Sequence, residues 1–272
     1  MYIIDIPNLD LKQIAESGQC FRFKQEDDKT FSVIAFGRYL KVSQEQTRLI
    51  FSCDEQEFDK LWRSYFDLDT DYGLLCENIL KGEDDFMKRA VMYGSGIRIL
   101  RQELWEMFIS FIISQNNNIP RIKKSIESLC ESFGRPIVIE GKVMGYSFPE
   151  PEALADLELS ELAGLSLGYR DRYIIEASRW YVKEREGIVR ELYGMDAVKQ
   201  KETLKKCVLG IGEKVANCIV LFGLHTLSAC PIDTWMKKLI EEDYGKLRPA
   251  WMNDEYAGVY QQYAFYYKRD RA

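Results

Sequence analysis

Residues 209–233 read LGIGEKVANCIVLFGLHTLSACPID, and this stretch decides the fold. A helical pattern from about Asp196 to Cys207 runs into Leu209-Gly210-Ile211-Gly212, and a second, apolar helix follows over 213–225. Two glycines around one aliphatic residue permit positive φ values and a tight turn, with Ile211 plugging the space between the helices. Backbone N–H groups at the start of the second helix then point outward. Helped by the helix dipole, they suit DNA phosphate without needing side-chain charge, which makes Gly210 and Gly212 candidate phosphate contacts. A Gly-x-Gly turn by itself is equally a plain connector between helices.

Lys214 adds a second signal. It is the second residue of the following helix, among Val215, Ala216, Ile219, Val220 and Leu221. The dipole at a helix N-terminus disfavours positive charge, and a neutral amine is what a nucleophilic lysine needs. Asp233 comes after Pro231 and directly before Thr234-Trp235-Met236, where it reads as the N-cap of the next helix. A capping carboxylate is held in one orientation, so it can also face a cationic centre or accept a proton.

Composition sets the frame around this stretch. With 272 residues the chain is long enough for two domains, and a 46% hydrophobic content marks a folded protein. No apolar run approaches membrane-spanning length, and MYIIDIPNLD lacks the regions of a signal peptide; a soluble, intracellular, cytoplasmic and nucleoid-associated monomer is expected. The seven cysteines include no C-x-x-C pair, and His225 is the single histidine, which argues against zinc and iron–sulfur chemistry. A net charge of −6 and a pI near 5.2 count against nucleic-acid binding as a global property. Local basic clusters (Arg121, Lys123 and Lys124; Arg170 and Arg172; Lys201, Lys205, Lys206 and Lys214) leave it open, although ordinary solvated helix faces explain them as well.

The fold class is α+β. Residues 30–43 and 47–53 are rich in β-branched and aromatic residues and read as antiparallel strands. Asp54 then caps a helix carrying Phe58, Leu61, Trp62 and Tyr65. The rest reads almost wholly as helices: one with Leu104, Phe108, Phe111 and Ile112 on a face, ending near Ser114; one from about Pro120 to Phe133, stopped by Gly134 and Pro136; short ones around 150–165; one from about Arg170 to Glu186 with Gly187 past its end; and others over 234–244 and 252–267. The glycine-marked segment 92–100 is taken as a junction between a sheet domain with helices, residues 1–95, and a two-part all-helical domain, residues 96–272.

The pattern GIGEKVA…PID resembles the helix-hairpin-helix, Gly/Pro…Asp superfamily of DNA base-excision glycosylases. SGQCFRF at 17–23, SQNNNIPRI at 114–122, LGYR at 167–170 and the segment from Ala257-Gly258 to Phe265 resemble, in order, the 8-oxoguanine DNA glycosylase family in its prokaryotic form. The resemblance implies an N-terminal antiparallel sheet joined to helical domains, double-stranded DNA with an oxidised purine as partner, and bifunctional base excision and strand cleavage. It implies that Lys214 is the nucleophile and that Asp233 positions it and stabilises charge on the sugar. Cys218 and Phe265 would sandwich the extruded base, Gln261 would read its Watson–Crick edge, and the Gly18 carbonyl would accept the N7 hydrogen of 8-oxoguanine. Asn116, Arg121, Tyr169 and Arg170 would fill the duplex and hydrogen-bond the orphaned cytosine. Without the resemblance, Cys218 and Phe265 read as core and the arginines as solubilising charge.

No metal or redox cofactor is implied; a structural monovalent cation on the hairpin carbonyls is compatible with the resemblance. Three positions depart from it: Trp235 stands where eukaryotic members have a histidine, Leu209 where many have proline, and Glu213 puts a carboxylate beside Lys214. Two other readings fit parts of the pattern. A relative removing alkylated or oxidised pyrimidine bases is disfavoured by the missing four-cysteine cluster and by Gln261 and Gly18. A non-enzymatic DNA-binding scaffold would need no special lysine.

Overall fold

The computed structural model describes residues 1–271. The chain forms two compact units. The first comprises Met1–Ser32, Leu40–Arg101 and the chain from His225 onward; the second comprises Val33–Tyr39 and Gln102–Leu224.

The antiparallel sheet expected near the N-terminus is present and has five strands: β1 (Tyr2–Asp5), β2 (Phe23–Gln25), β3 (Thr30–Ala35), β4 (Arg38–Glu45) and β5 (Arg48–Phe51), in the order β1-β5-β4-β3-β2. β5 pairs with β1 from Tyr2↔Phe51 to Asp5↔Arg48 and with β4 from Val42↔Phe51 to Glu45↔Arg48. The β3–β4 turn uses Phe36 and Gly37, both at positive φ (52° and 66°), the conformation a tight two-residue hairpin needs. β1 and β2 are three to four residues long, too short for alternation to announce them.

Leu40, Val42, Leu49 and Phe51 are all buried. Aromatic packing beneath them is mostly edge-to-face, with Phe51 on Phe58 and Phe66, and Phe66 on Phe23 and Tyr65, at centroid separations of 4.9–6.2 Å. Phe58, Trp62 and Tyr65 come from the helix after Asp54, as their spacing predicts. The middle turn of that helix, Phe58–Trp62, is a π turn, a detail apolar spacing does not encode.

In the second unit the Leu104–Ile113 helix buries nine of its ten residues and forms the axis. Phe111 stacks on Phe222 at 5.4 Å, and Phe108 packs on Trp180 and Tyr181. These contacts fasten the axis to the Glu213–Phe222 and Arg170–Glu184 helices. Gly187, with non-helical φ −103° and ψ −109°, breaks the helix that begins at Arg170, as its place just past the expected helix end predicts. One sequence expectation needs correction here. The stretch after Phe133 is not purely helical: β6 (Pro136–Ile139) and β7 (Lys142–Tyr146) form a hairpin around Glu140 and Gly141, both at positive φ. A two-residue turn flanked by β-branched residues is a hairpin signal that the helical reading passed over. Gly145 takes φ +152°, which residues with a side chain rarely adopt, and a Cβ there would also push Ile34 Cδ1, 2.4 Å away, so β7 favours glycine at this point.

Seven helix starts among the described residues are set locally by a side-chain cap. Asp10, Asp54, Asp71, Asp84, Asn118, Asp196 and Asp233 each accept a backbone N–H three residues on. Each such cap contributes about 1 kcal/mol. Asp233 therefore caps in the same way as six other residues, and capping does not by itself set it apart.

Candidate active site

The sequence-predicted residues divide between the units. Gly18, Asp233, Gln261 and Phe265 belong to the first; Asn116, Arg121, Tyr169, Arg170, Gly210, Gly212, Lys214 and Cys218 belong to the second.

In the second unit, the hairpin joins the Ala197–Cys207 and Glu213–Phe222 helices. Ile211 is buried, as expected of the plug. Only one glycine uses its conformational freedom. Gly210 has φ +84°, and a Cβ there would lie 2.6 Å from the Tyr173 ring. Gly212 has φ −92° and ψ −178°, ordinary extended backbone, with nothing within 4 Å of a Cβ. The positive φ that the Gly-x-Gly pattern permits is thus used at Gly210 and not at Gly212. Gly212 is exposed at the start of the helix without a side-chain cap, so its approach is open. Gln115 Nε2 donates to the Gly210 carbonyl at 3.1 Å and ties the hairpin to the SQNNN loop.

Lys214 is half-buried. Its Nζ lies 3.3 Å from Ser114 Oγ and 5.3 Å from the centroid of the Phe111 ring. Ser114 Oγ donates to the Phe111 carbonyl at 2.8 Å, which leaves its lone pairs for the lysine. The Phe111 ring faces the amine while one hydroxyl orients it. Cys218, one turn on, is buried. Glu213 turns away toward the preceding helix: Lys201 Nζ is 2.8 Å from its Oε1 and Lys205 Nζ is 2.7 Å from its Oε2. Burial would raise the Glu213 carboxyl slightly, but hydrogen bonds from Lys201 and then Lys205 dominate and hold it at about 2.

The SQNNN loop and the LGYR turn meet. Asn116, at φ 46°, donates from Nδ2 to Tyr169 Oη at 3.1 Å. Arg170 is almost fully buried, and its guanidinium donates to the carbonyls of Gln115, Asn116 and Leu167 while lying over the Tyr169 ring. It is not the exposed solubilising charge it resembles in sequence. Arg121 is exposed and donates to the Ser166 carbonyl at 3.3 Å. Tyr169 is 51% exposed, a large aromatic left facing outward.

In the first unit, Gly18 takes φ +78° in a turn fixed by fully buried Gln19. Gln19 Nε2 donates to Ser17 Oγ and the Arg98 carbonyl, and its Oε1 accepts Leu100 N–H, all at 2.8–2.9 Å. The C-terminal helix, Ala257–Asp270, carries buried Gln261 and half-buried Phe265. Gln262 Nε2 donates to Gln261 Oε1 at 3.0 Å, which directs the Gln261 amide. Arg269 donates to the Glu16 carbonyl at 2.7 Å and lies over the Phe265 ring at 5.3 Å, linking the Gly18 turn to this helix. Sequence reasoning missed Arg269, although it stands one helical turn after Phe265.

Asp233 Oδ1 accepts Met236 N–H at 2.9 Å. The segment leading to it is anchored twice. Leu227 O accepts Gly258 N–H at 2.7 Å, and His225 Nε2 lies 3.3 Å from Asp67 Oδ2 and 3.1 Å from the Ile99 carbonyl. Asp67 is buried and also receives the Arg101 guanidinium and the Tyr72 hydroxyl. Burial pushes its carboxyl up, but His225, Arg101 and Tyr72 together outweigh burial and hold it at about 2. Beside Asp233, Lys238 Nζ lies over the Trp235 ring at 4.7 Å, so the departure at Trp235 comes with its own cation.

The described residues hold no group of three or more His, Cys, Asp or Glu side chains placed to bind a metal, and no helix long and apolar enough to cross a membrane.

Known proteins match this arrangement along the chain. Residues 1–108 match the N-terminal domain of 8-oxoguanine DNA glycosylase, and residues 109–253 match the HhH-GPD superfamily of base excision DNA repair proteins. The chain belongs to the 8-oxoguanine DNA glycosylase family. The N-glycosylase/DNA lyase of Saccharomyces cerevisiae is 32% identical over 89% of this chain and 70% of its own. A structure of MBOgg1 in complex with a low-affinity DNA ligand shares 37% identity, with a TM-score of 0.91 over 99% of this chain and 95% of that one. The Clostridium acetobutylicum 8-oxoguanine glycosylase/lyase, in complex with dsDNA containing cytosine opposite to 8-oxoG, shares 32% identity, with a TM-score of 0.89 over 100% of this chain and 98% of that one. The family expected from the sequence, with its sheet followed by helices, is thus found.

Proposed function

We propose that this protein excises 8-oxoguanine from duplex DNA, preferring cytosine opposite, and then cleaves the strand by β-elimination. What carries this reading is Lys214: a half-buried amine at the start of the hairpin helix, walled by Phe111 and oriented by one hydroxyl, in a chain of this family. Lys214 attacks the anomeric carbon, the damaged base leaves, and the resulting Schiff base acidifies the sugar C2′ hydrogens so that the 3′ phosphate can be eliminated. Asp233, fixed by its cap bond, stabilises positive charge as it develops on the sugar.

The base is read by the Gly18 carbonyl, which accepts the N7 hydrogen that guanine lacks, and by the Gln261 amide, while Cys218 and Phe265 offer it apolar faces. Asn116, Tyr169, Arg121 and Arg170 serve the vacated position and the orphaned cytosine; Arg170 does so as the brace of the Asn116 loop, since carbonyls take most of its donors. Gly212 leaves the hairpin N–H groups open to phosphate. A monovalent cation fits the hairpin carbonyls, each of which keeps a second lone pair, and would serve only to hold the turn.

Borohydride trapping tests the reading. The protein is incubated with duplex DNA carrying 8-oxoguanine opposite cytosine, and the covalent complex is scored. Wild type should trap and Lys214→Gln should not; equal trapping by both removes Lys214 from the role. A panel of lesions separates the substrates, because preference for a pyrimidine lesion would refute the 8-oxoguanine assignment.

A further inference from the structure

Glu213 is a carboxylate in a place where the fold presents backbone N–H groups to anions. It is the first residue of the Glu213–Phe222 helix, next to the open backbone at Gly212. Lys201 and Lys205 are four apart on the preceding helix and so share one face. Both point their ammonium groups at this carboxylate, at 2.8 and 2.7 Å. The two lysine side chains are 23% and 31% exposed, while Glu213 is 58% exposed, so the anion is the outermost member of the trio. Glu202 adds a second carboxylate to Lys205 at 3.1 Å. The pairs are solvent-accessible, and exposed ion pairs contribute little to stability, so the carboxylate can be exchanged at small cost.

We infer that Lys201 and Lys205 form a backbone-phosphate site beside the hairpin that Glu213 occupies in the absence of DNA, and that a phosphodiester displaces it on binding. The inference rests on duplex DNA being the ligand of the proposed function. Two ammonium groups less than 3 Å from one anion form a clamp that accepts a phosphate in the same geometry. Glu213 then tempers affinity for undamaged DNA: each encounter must replace an anion already in place, and Glu213 takes one unit of positive charge from what the two lysines would otherwise offer. A glycosylase that must leave undamaged duplex to find rare lesions benefits from such a counter-ion.

The experiment measures affinity for undamaged duplex as a function of salt. Each added neutralised phosphate steepens the slope of log K against log salt by about 0.9. Glu213→Gln should steepen the wild-type slope by about that amount and tighten low-salt binding several-fold. Lys201→Gln/Lys205→Gln should make the slope shallower than wild type. Glu186→Gln removes the same charge from an exposed position elsewhere and should leave the slope unchanged. A slope for Glu213→Gln equal to those of wild type and Glu186→Gln overturns the inference, as does a double lysine variant with the wild-type slope. The assay needs no excision. Binding without base release therefore refutes the proposed function and still decides this inference, whereas excision with unchanged slopes refutes the inference alone; a wild type that binds no duplex overturns both.

Discussion

Asp233 Oδ1 accepts the Met236 backbone N–H at 2.9 Å, so one residue combines a structural cap with the carboxylate assigned to the sugar. The two roles separate chemically, because asparagine caps a helix about as well as aspartate but carries no charge. Asp233→Asn should unfold within about 0.5 kcal/mol of wild type, yet lose 100-fold or more in single-turnover base excision (about 2.7 kcal/mol). Asp233→Ala should add a stability loss of about 1 kcal/mol to the same catalytic defect. Denaturant unfolding paired with single-turnover rates decides the matter. An asparagine variant of normal activity would reduce Asp233 to its cap.

The second prediction concerns pH. The folded-state pKa of Asp67, at about 2, lies below its ordinary value of 3.8. A depressed carboxyl contributes stability that is present above the unfolded value and lost as pH falls through the folded one. Asp67 should therefore contribute fully at neutral pH and lose its contribution between about pH 4 and 2, amounting to about 2 kcal/mol. Asp67→Asn should be less stable at pH 7, because it removes the buried carboxylate that pairs with Arg101 and is hydrogen-bonded by Tyr72, and should show a flatter acid limb. Unfolding free energies measured at several pH values from 7 to 2 test this. Parallel wild-type and Asp67→Asn curves below pH 4 would sink it.

Features written within a few residues were legible before the structure. The plug Ile211, the cap Asp233, the end of the axis helix near Ser114 and the helix from Asp54 follow from local pattern, and local geometry decides them. Which glycine of the G-x-G carries the positive φ is not written locally; Gly210 carries it, with Tyr173 packed against it. The burial of Arg170 escaped because its carbonyl partners at Gln115 and Asn116 lie 55 and 54 positions earlier. The His225–Asp67 pair is likewise a tertiary contact with no local signature. The same holds for Ser114 beside Lys214, 100 positions apart, although Ser114 opens the SQNNN motif.

Arg170 and Arg121, which look alike in sequence, should behave oppositely. Arg170→Ala leaves the carbonyls of Gln115, Asn116 and Leu167 without their donor in a buried setting, at a cost on the order of 3 kcal/mol. Lysine should not rescue it, because an ammonium group lacks the planar fork that reaches several carbonyls together. Arg121 is exposed, and Arg121→Ala should change stability by no more than about 0.5 kcal/mol. Its loss should appear in selectivity instead. If it hydrogen-bonds the orphaned cytosine, the preference for cytosine over the other three bases should fall about tenfold, within the range of a lost base contact. Thermal or chemical unfolding measures the first arm, and kcat/KM on duplexes with each of four opposite bases measures the second. An Arg121→Ala protein with undiminished cytosine preference would remove Arg121 from the orphan-base role, and an Arg170→Ala protein of wild-type stability would contradict its place as the brace of the Asn116 loop.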